Sequence, residues 1–261
     1  MTELLEGRTA IVTGAGSGVG RATAVLFARE GSRVVCADID LQHAKETVRI
    51  IESDGGVAVA VGSDVSREDE VVGMVDAAVE QFGRLDIVVN NVGIPTPRLG
   101  ALLEDHTLDD FNRLVAVNLG GVFLGCKHAV LQFKKQGGGG TIVNTGSVAG
   151  LVAWGGSVYG ATKGGVLQLT RALAVEGAPH QIRVNAVCPA AMPLTGFMSA
   201  GGMDASLDAH PDLTDRMAAQ HPLGRFITAE DCAEAILYLA SDHARNVTGV
   251  SLPIDGGYVA R

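Results

Sequence analysis

Cysteine is scarce: four residues, at positions 36, 126, 188 and 232, are scattered along 261. No C-x-x-C pair occurs, which excludes a zinc ribbon or a dithiol redox motif and fits reduced thiols in a core. The seven histidines show neither H-E-x-x-H nor any paired spacing, so no metal site is expected. Basic residues are in deficit, 20 against 29 acidic for a net charge of -9, and no basic run exceeds a few residues. That balance argues against nucleic acid and against a polybasic membrane patch as partners. Uninterrupted apolar runs fall short of bilayer length. The opening MTELLEGR carries acids where a secretory signal wants basic residues and then an apolar core, so a cytoplasmic location is expected. Aromatics make up only 4%.

Glycine is what the chain has in plenty, 35 residues, alongside 47% apolar composition. The mix suits tight turns and close packing of helices on a sheet. Thr9 to Thr13 is a short apolar run that stops at glycine, and Gly18 to Gly31 then spaces its apolar residues as an amphipathic helix. Between them lies TGAGSGVG, Thr13 to Gly20, whose glycines remove the side chains that would hold a pyrophosphate away from the backbone amides. A second apolar run, Arg33 to Ala37, ends at Asp38, where a dinucleotide fold sets a carboxylate against the adenosine ribose. A 2'-phosphate there would meet like charge, and Ile39 and Asp40 offer no arginine in exchange, so NAD is expected over NADP. A solvated strand-end aspartate is the plainer alternative.

The alternation continues: helix at Leu41 to Ser53, strand at Val57 to Val61, helix at Arg67 to Phe82, strand at Leu85 to Asn90. A helix follows from Leu108 to about Lys135, then a strand at Thr141 to Thr145, a helix to about Glu176 and a strand at Ile182 to Cys188. Ala229 to Ser241 reads as a helix capped by Thr228, and Gly249 to Ile254 as the last strand. This is the pattern of a parallel, doubly wound sheet with helices on both faces, an α/β fold with its ligand at the strands' carboxyl ends. The glycine run 137–140 is not a domain boundary, because the following strand leads straight into Ser147; positions 1–261 are read as one domain. The segment 193–224, long and mixed in composition, is expected to cover the substrate, with an ordered crossover helix as the alternative.

The chemistry centres on GSVAGLVAWGGSVYGATK, Gly146 to Lys163. Tyr159 and Lys163 are four apart and share one face of a helix. An ammonium near a phenol favours the phenolate, so the tyrosine is expected to titrate below its usual value of about 10 and to serve as an acid or base. Ser147 lies at a strand end from which its hydroxyl could hold the substrate oxygen. Taken alone, Tyr-x-x-x-Lys could equally be a surface pair.

With TGAGSGVG, Asp38, Asp64-Val65, NNVG at 90–93, Asn118, Ser147, YGATK at 159–163 and IDGG at 254–257 all in order, the chain resembles the short-chain dehydrogenase/reductases over nearly its whole length. The resemblance implies a Rossmann-type sheet of seven parallel strands. It also implies that Gly14, Ser17, Gly18 and Val19 meet the pyrophosphate, Asp38 the adenosine ribose, Asp64 and Val65 the adenine, and Asn91 and Gly93 the neighbouring ribose. Tyr159 would transfer the proton, Lys163 would hold the nicotinamide ribose, Ser147 would orient the substrate oxygen, and Asn118 would hold a water. Met192 would offer backbone contacts to the carboxamide. Homotetramers are the assembly it implies.

Two departures from the family pattern stand out. Ala190 replaces the glycine after Pro189, which is tolerable only without a positive φ, and Thr195 comes one place late. Val92 replaces an alanine. Candidate substrate walls are Ile94, Pro95, Val152, Ala153, Trp154, Phe197, Met198 and Met203, all apolar, which favours a neutral, largely hydrocarbon secondary alcohol or ketone. The expected function is therefore NAD-dependent hydride transfer to or from such a substrate. The alternatives are a 3-oxoacyl thioester reductase of the same family and a non-catalytic dinucleotide sensor, and Asp38 and the complete catalytic set respectively argue against these. A methyltransferase would have no use for Tyr-x-x-x-Lys.

Overall fold

Every residue of the first strand, β1 (Thr9–Thr13), is buried, because helices cover both faces of the sheet it occupies. The computed structural model describes residues 3–97, 100–192, 215 and 218–261. Most of the expected substrate cover, 193–214 and 216–217 with Phe197, Met198, Met203 and Thr195, lies outside the described residues.

The remaining strands are β2 (Arg33–Asp38), β3 (Val57–Gly62), β4 (Ile87–Asn90), β5 (Gly140–Thr145), β6 (Ile182–Pro189) and β7 (Ser251–Ile254). They form one seven-stranded sheet in the order β3-β2-β1-β4-β5-β6-β7, and all six neighbouring pairs run parallel. Alternate residues feed two cores. Ala10, Val12, Val34, Cys36 and Val89 pack on one face, and Ile11, Val35, Ala37 and Val88 on the other.

On the first face lie α1 (Gly18–Arg29), α2 (Leu41–Ser53) and the helix Ala229–Ala240, here α7; α1 packs along α7. On the second lie α3 (Glu68–Phe82), α5 (Gly121–Gln136) and α6 (Ser157–Gly177). A short α4 (Leu108–Leu114) runs into α5 through a π-helical turn, Val115–Gly120. The span Leu108–Gln136 is long and apolar enough by composition to cross a membrane. In this fold its Gly121, Gly125, Cys126, Ala129 and Phe133 side is buried, with α5 packed over β4 and β5.

Successive crossovers leave β1 in opposite directions, towards β2 and towards β4. The carboxyl ends of β1 and β4 therefore flank a crevice, the place where open α/β sheets bind ligands. Three sequence boundaries shift for local reasons. The fourth strand starts at Ile87, since buried Asp86 instead accepts from the Thr9 N–H at 2.9 Å and pairs with Arg84 at 2.6 Å. Gly249 sits at φ +78 in a turn, so the last strand begins at Ser251. The Leu108 helix is not uniform, because the π turn interrupts it at Asn118.

Candidate active site

The glycine loop closes over the end of β1 because it has no side chains to prevent it. Gly14 and Gly18 hold φ +66 and +50, the region that favours glycine. A Cβ on Gly20 would strike the Gly14 carbonyl, and one on Gly16 would lie 2.7 Å from Asp38 Oδ2. Ser17 caps α1 without using its hydroxyl to do so, leaving that hydroxyl and the helix-terminal amides facing the crevice. Asp38 is locked in place: Oδ2 accepts from the Gly16 N–H at 2.8 Å and Oδ1 from the Asp40 N–H at 2.9 Å.

Thr13 joins this loop to β4. Its hydroxyl donates to the Val89 carbonyl at 3.3 Å and accepts from the Asn91 N–H at 2.9 Å, while Asn91 Nδ2 donates to the Thr13 carbonyl at 3.1 Å. On the adjoining loop, Asp64 Oδ1 accepts from the Ser66 N–H at 2.9 Å and hydroxyl at 2.7 Å.

Beyond β5, a 3-10 turn (Val148–Gly150) lies against α6 at Lys163, so closely that a Cβ on Gly150 would sit 2.8 Å from the Lys163 carbonyl carbon. This contact sets Ser147 beside Tyr159. Ser147 Oγ accepts from the Ala149 N–H at 3.1 Å and donates to the Pro189 carbonyl at 3.4 Å. Lys163 is 2% exposed and its Nζ donates to the Thr145 carbonyl at 2.8 Å, 5.8 Å from the centre of the Tyr159 ring.

The electrostatics correct one expectation. Burial pushes the Tyr159 phenol up to about 12, with a hydrogen bond to Ser147 working the other way. Burial likewise brings Lys163 down to about 8, opposed by the Cys188 thiol. Desolvation, and not the nearby lysine, sets the direction of the tyrosine's shift. Burial also holds all four thiols up, Cys36, Cys126 and Cys232 at about 12 and Cys188 at about 11, as expected of core cysteines.

A single cleft of about 610 Å³ unites these parts. It is lined by Gly14, Ser17, Gly18, Val19, Asp38, Asp64, Val65, Asn91, Gly93, Ser147, Tyr159, Lys163 and Met192, every sequence-derived contact except Asn118. Asn118 lies fully buried behind the cleft wall, its carboxamide bonded to Ile94 and, at 3.5 Å, to the Thr162 hydroxyl. Its side-chain amide N–H groups are thus spent on protein partners. Ala190 has no positive φ, so alanine is tolerated there. Of the expected substrate walls, Ile94 and Trp154 line the cleft, while Pro95, Val152 and Ala153 do not. Sequence reading missed Arg113, Ala116 and Val117, which also line it; their helical spacing was the available signal. No cluster of metal-ligating side chains occurs among the described residues.

A dinucleotide fits these residues: the side-chain-free cradle, the unspent Ser17 hydroxyl and the locked Asp38 border one cleft. Comparisons with known proteins agree. Residues 14–259 match the family described as enoyl-(acyl carrier protein) reductase. An uncharacterized oxidoreductase of Thermotoga maritima is 43% identical over 259 residues, 98% of each chain. The cis-4-hydroxycyclohexanecarboxylate dehydrogenase of Sinomonas cyclohexanicum is 41% identical over 263 residues, all of both chains. A short-chain type dehydrogenase/reductase from Mycobacterium marinum superposes with a TM-score of 0.89 at 34% identity, covering 100% of this chain and 98% of that one. With this sheet and these relatives, the chain belongs to the short-chain dehydrogenase/reductase family of NAD(P)-dependent oxidoreductases.

Proposed function

We propose that the protein interconverts a neutral, largely apolar secondary alcohol and its ketone with NAD(H), with Tyr159 as the proton-transferring group. The observation that carries this is the convergence of Ser147, Tyr159 and Lys163 on one end of the cleft, beside Ile94, Trp154 and Met192. Ser147 donates to the substrate oxygen, and Tyr159 gives that oxygen its proton in reduction or takes it in oxidation. A bound nicotinamide dinucleotide supplies or accepts the hydride. A phenol held protonated at neutral pH suits the donating direction, and oxidation is expected to need a higher pH.

NAD is the proposed cofactor because the Asp38 carboxylate is fixed by two backbone amides and offers a 2'-phosphate only like charge. Gly14, Ser17, Gly18 and Val19 would hold the pyrophosphate, Asp64 and Val65 the adenine, Asn91 and Gly93 the ribose, and Met192 the carboxamide. Segment 193–224 is the proposed substrate cover of a one-domain enzyme of the cytoplasm. Supporting a ring-bearing substrate, though not its neutrality, is the relative named for cis-4-hydroxycyclohexanecarboxylate. A homotetramer is proposed as well, since α5 presents half-exposed Phe123 and Leu131 on the side away from the sheet.

The test is a panel of cyclic and acyclic secondary alcohols and ketones, run with both cofactors on the wild type and Tyr159→Phe. Turnover is expected to fall at least ~1000-fold in the variant, while cofactor still quenches the fluorescence of Trp154, the only tryptophan. Retained turnover would remove the tyrosine from its role.

A further inference from the structure

Arg113 is an exposed cation on the wall of the cleft that makes no hydrogen bond, ion pair or ring contact with any described residue. Cations in the last turn of a helix ordinarily serve the helix dipole. That explanation fails here, because α4 does not end at Leu114 but continues through the π turn into α5, leaving no carbonyl terminus beside Arg113.

Its position follows from the helix. Residues 113, 117 and 121 recur at four-residue intervals and share one side of the continuous rod, the wider π turn helping to keep them in line. Gly121 faces Val65, since a Cβ there would meet Val65 Cγ2 at 2.7 Å, and Val117 packs into the apolar cluster that contains Val65. Arg113 thus stands one turn beyond Val117, at the Val65 end of the cleft. Asp38 and Ile39 line that same end, and the Asp38 carbonyl accepts from the Ser63 N–H at 2.9 Å.

We infer that Arg113 is a specificity-determining residue whose guanidinium stacks on the adenine of the dinucleotide, pressing it towards Val65. This rests on the dinucleotide reading above. A planar, weakly hydrated cation on a stem long enough to fold over the opening suits an aromatic face, and among the described residues the neighbouring cleft charges at that end are the carboxylates Asp38 and Asp64, with no second cation beside Arg113 to bind an anion in concert.

The experiment is calorimetric titration of AMP, nicotinamide mononucleotide and NADH into the wild type, Arg113→Ala and Arg113→Lys, each checked for unchanged melting temperature. Arg113→Ala is expected to weaken AMP and NADH by about 3–20-fold and to leave nicotinamide mononucleotide unchanged. Arg113→Lys should recover little of the loss, and the loss should persist at about 0.5 M salt. Unchanged AMP affinity in Arg113→Ala overturns the assignment. So does full rescue by lysine with loss of the effect in salt, which would mean a phosphate ion pair. If the wild type binds neither AMP nor NADH, the dinucleotide reading itself fails, and this one with it.

Discussion

Asn118 commits both halves of its carboxamide to one residue: Oδ1 accepts from the Ile94 N–H at 2.8 Å and Nδ2 donates to the Ile94 carbonyl at 2.9 Å. The pair works as a two-point clamp between the π turn and the loop after β4. Gly93, within that loop, comes close enough that a Cβ would lie 3.3 Å from Lys163 Nζ. Asn118 thereby ties down the loop that borders Lys163.

Removing the clamp should therefore be visible without any assay of turnover. In Asn118→Ala, amide exchange at Gly93 and Ile94 is expected to quicken by about tenfold or more, as two partly buried hydrogen bonds are lost. The rate constant kcat/KM should fall by about 10–100-fold, the loss expected from a site loosened by a fraction of an ångström. Exchange identical to the wild type would show that the loop is held by something else.

Asp38 bears on cofactor choice through its fixed carboxylate. Asp38→Ala should raise the ratio of kcat/KM for NADP to that for NAD by about tenfold, since like-charge repulsion of a 2'-phosphate disappears along with the ribose contact. A ratio unmoved by the change places the adenosine ribose elsewhere.

Lys163 predicts a pH dependence of stability whose sign can be worked out. Its folded value, about 8, lies below the unfolded value of 10.5, so between those pH values the unfolded chain binds a proton that the folded chain does not. Stability should accordingly rise with pH across that window, relative to Lys163→Met, which lacks the group. Tyr159 acts oppositely and higher: its value of about 12 against 10 unfolded means that its contribution is complete below pH 10 and is lost as pH rises towards 12. Urea denaturation of wild type and Lys163→Met at pH 7.5, 9 and 10 reads the difference. A wild-type stability that falls or stays constant relative to Lys163→Met through pH 8–10 contradicts the burial-driven shift.

Much of this was legible in the chain itself. The strands announced themselves because a sheet covered on both faces needs residues such as Ile11, Val12 and Val35 to be apolar whichever way they point. The cradle was legible because only glycine fits at 14 and 20. Three things were not. The phenol's upward shift depends on how much water the folded walls exclude, a property of packing and not of the Tyr-x-x-x-Lys spacing. The π turn at Asn118 has no composition of its own, and the bond to Ile94 that accompanies it spans 24 positions of the chain. Arg113 shares helical spacing with Ala116 and Val117, but that spacing does not say that this helix face borders a cavity.

The distribution of the thiols has a practical consequence. Cys36 and Cys188 sit within strands, Cys126 in a helix against one side of the sheet and Cys232 in a helix against the other. Each is sealed from solvent, so an alkylating reagent can mark a site only after its own layer has opened. Pulsed labelling read by mass spectrometry would then time the detachment of each layer separately, with the natural chain as its own set of probes and no engineered reporter.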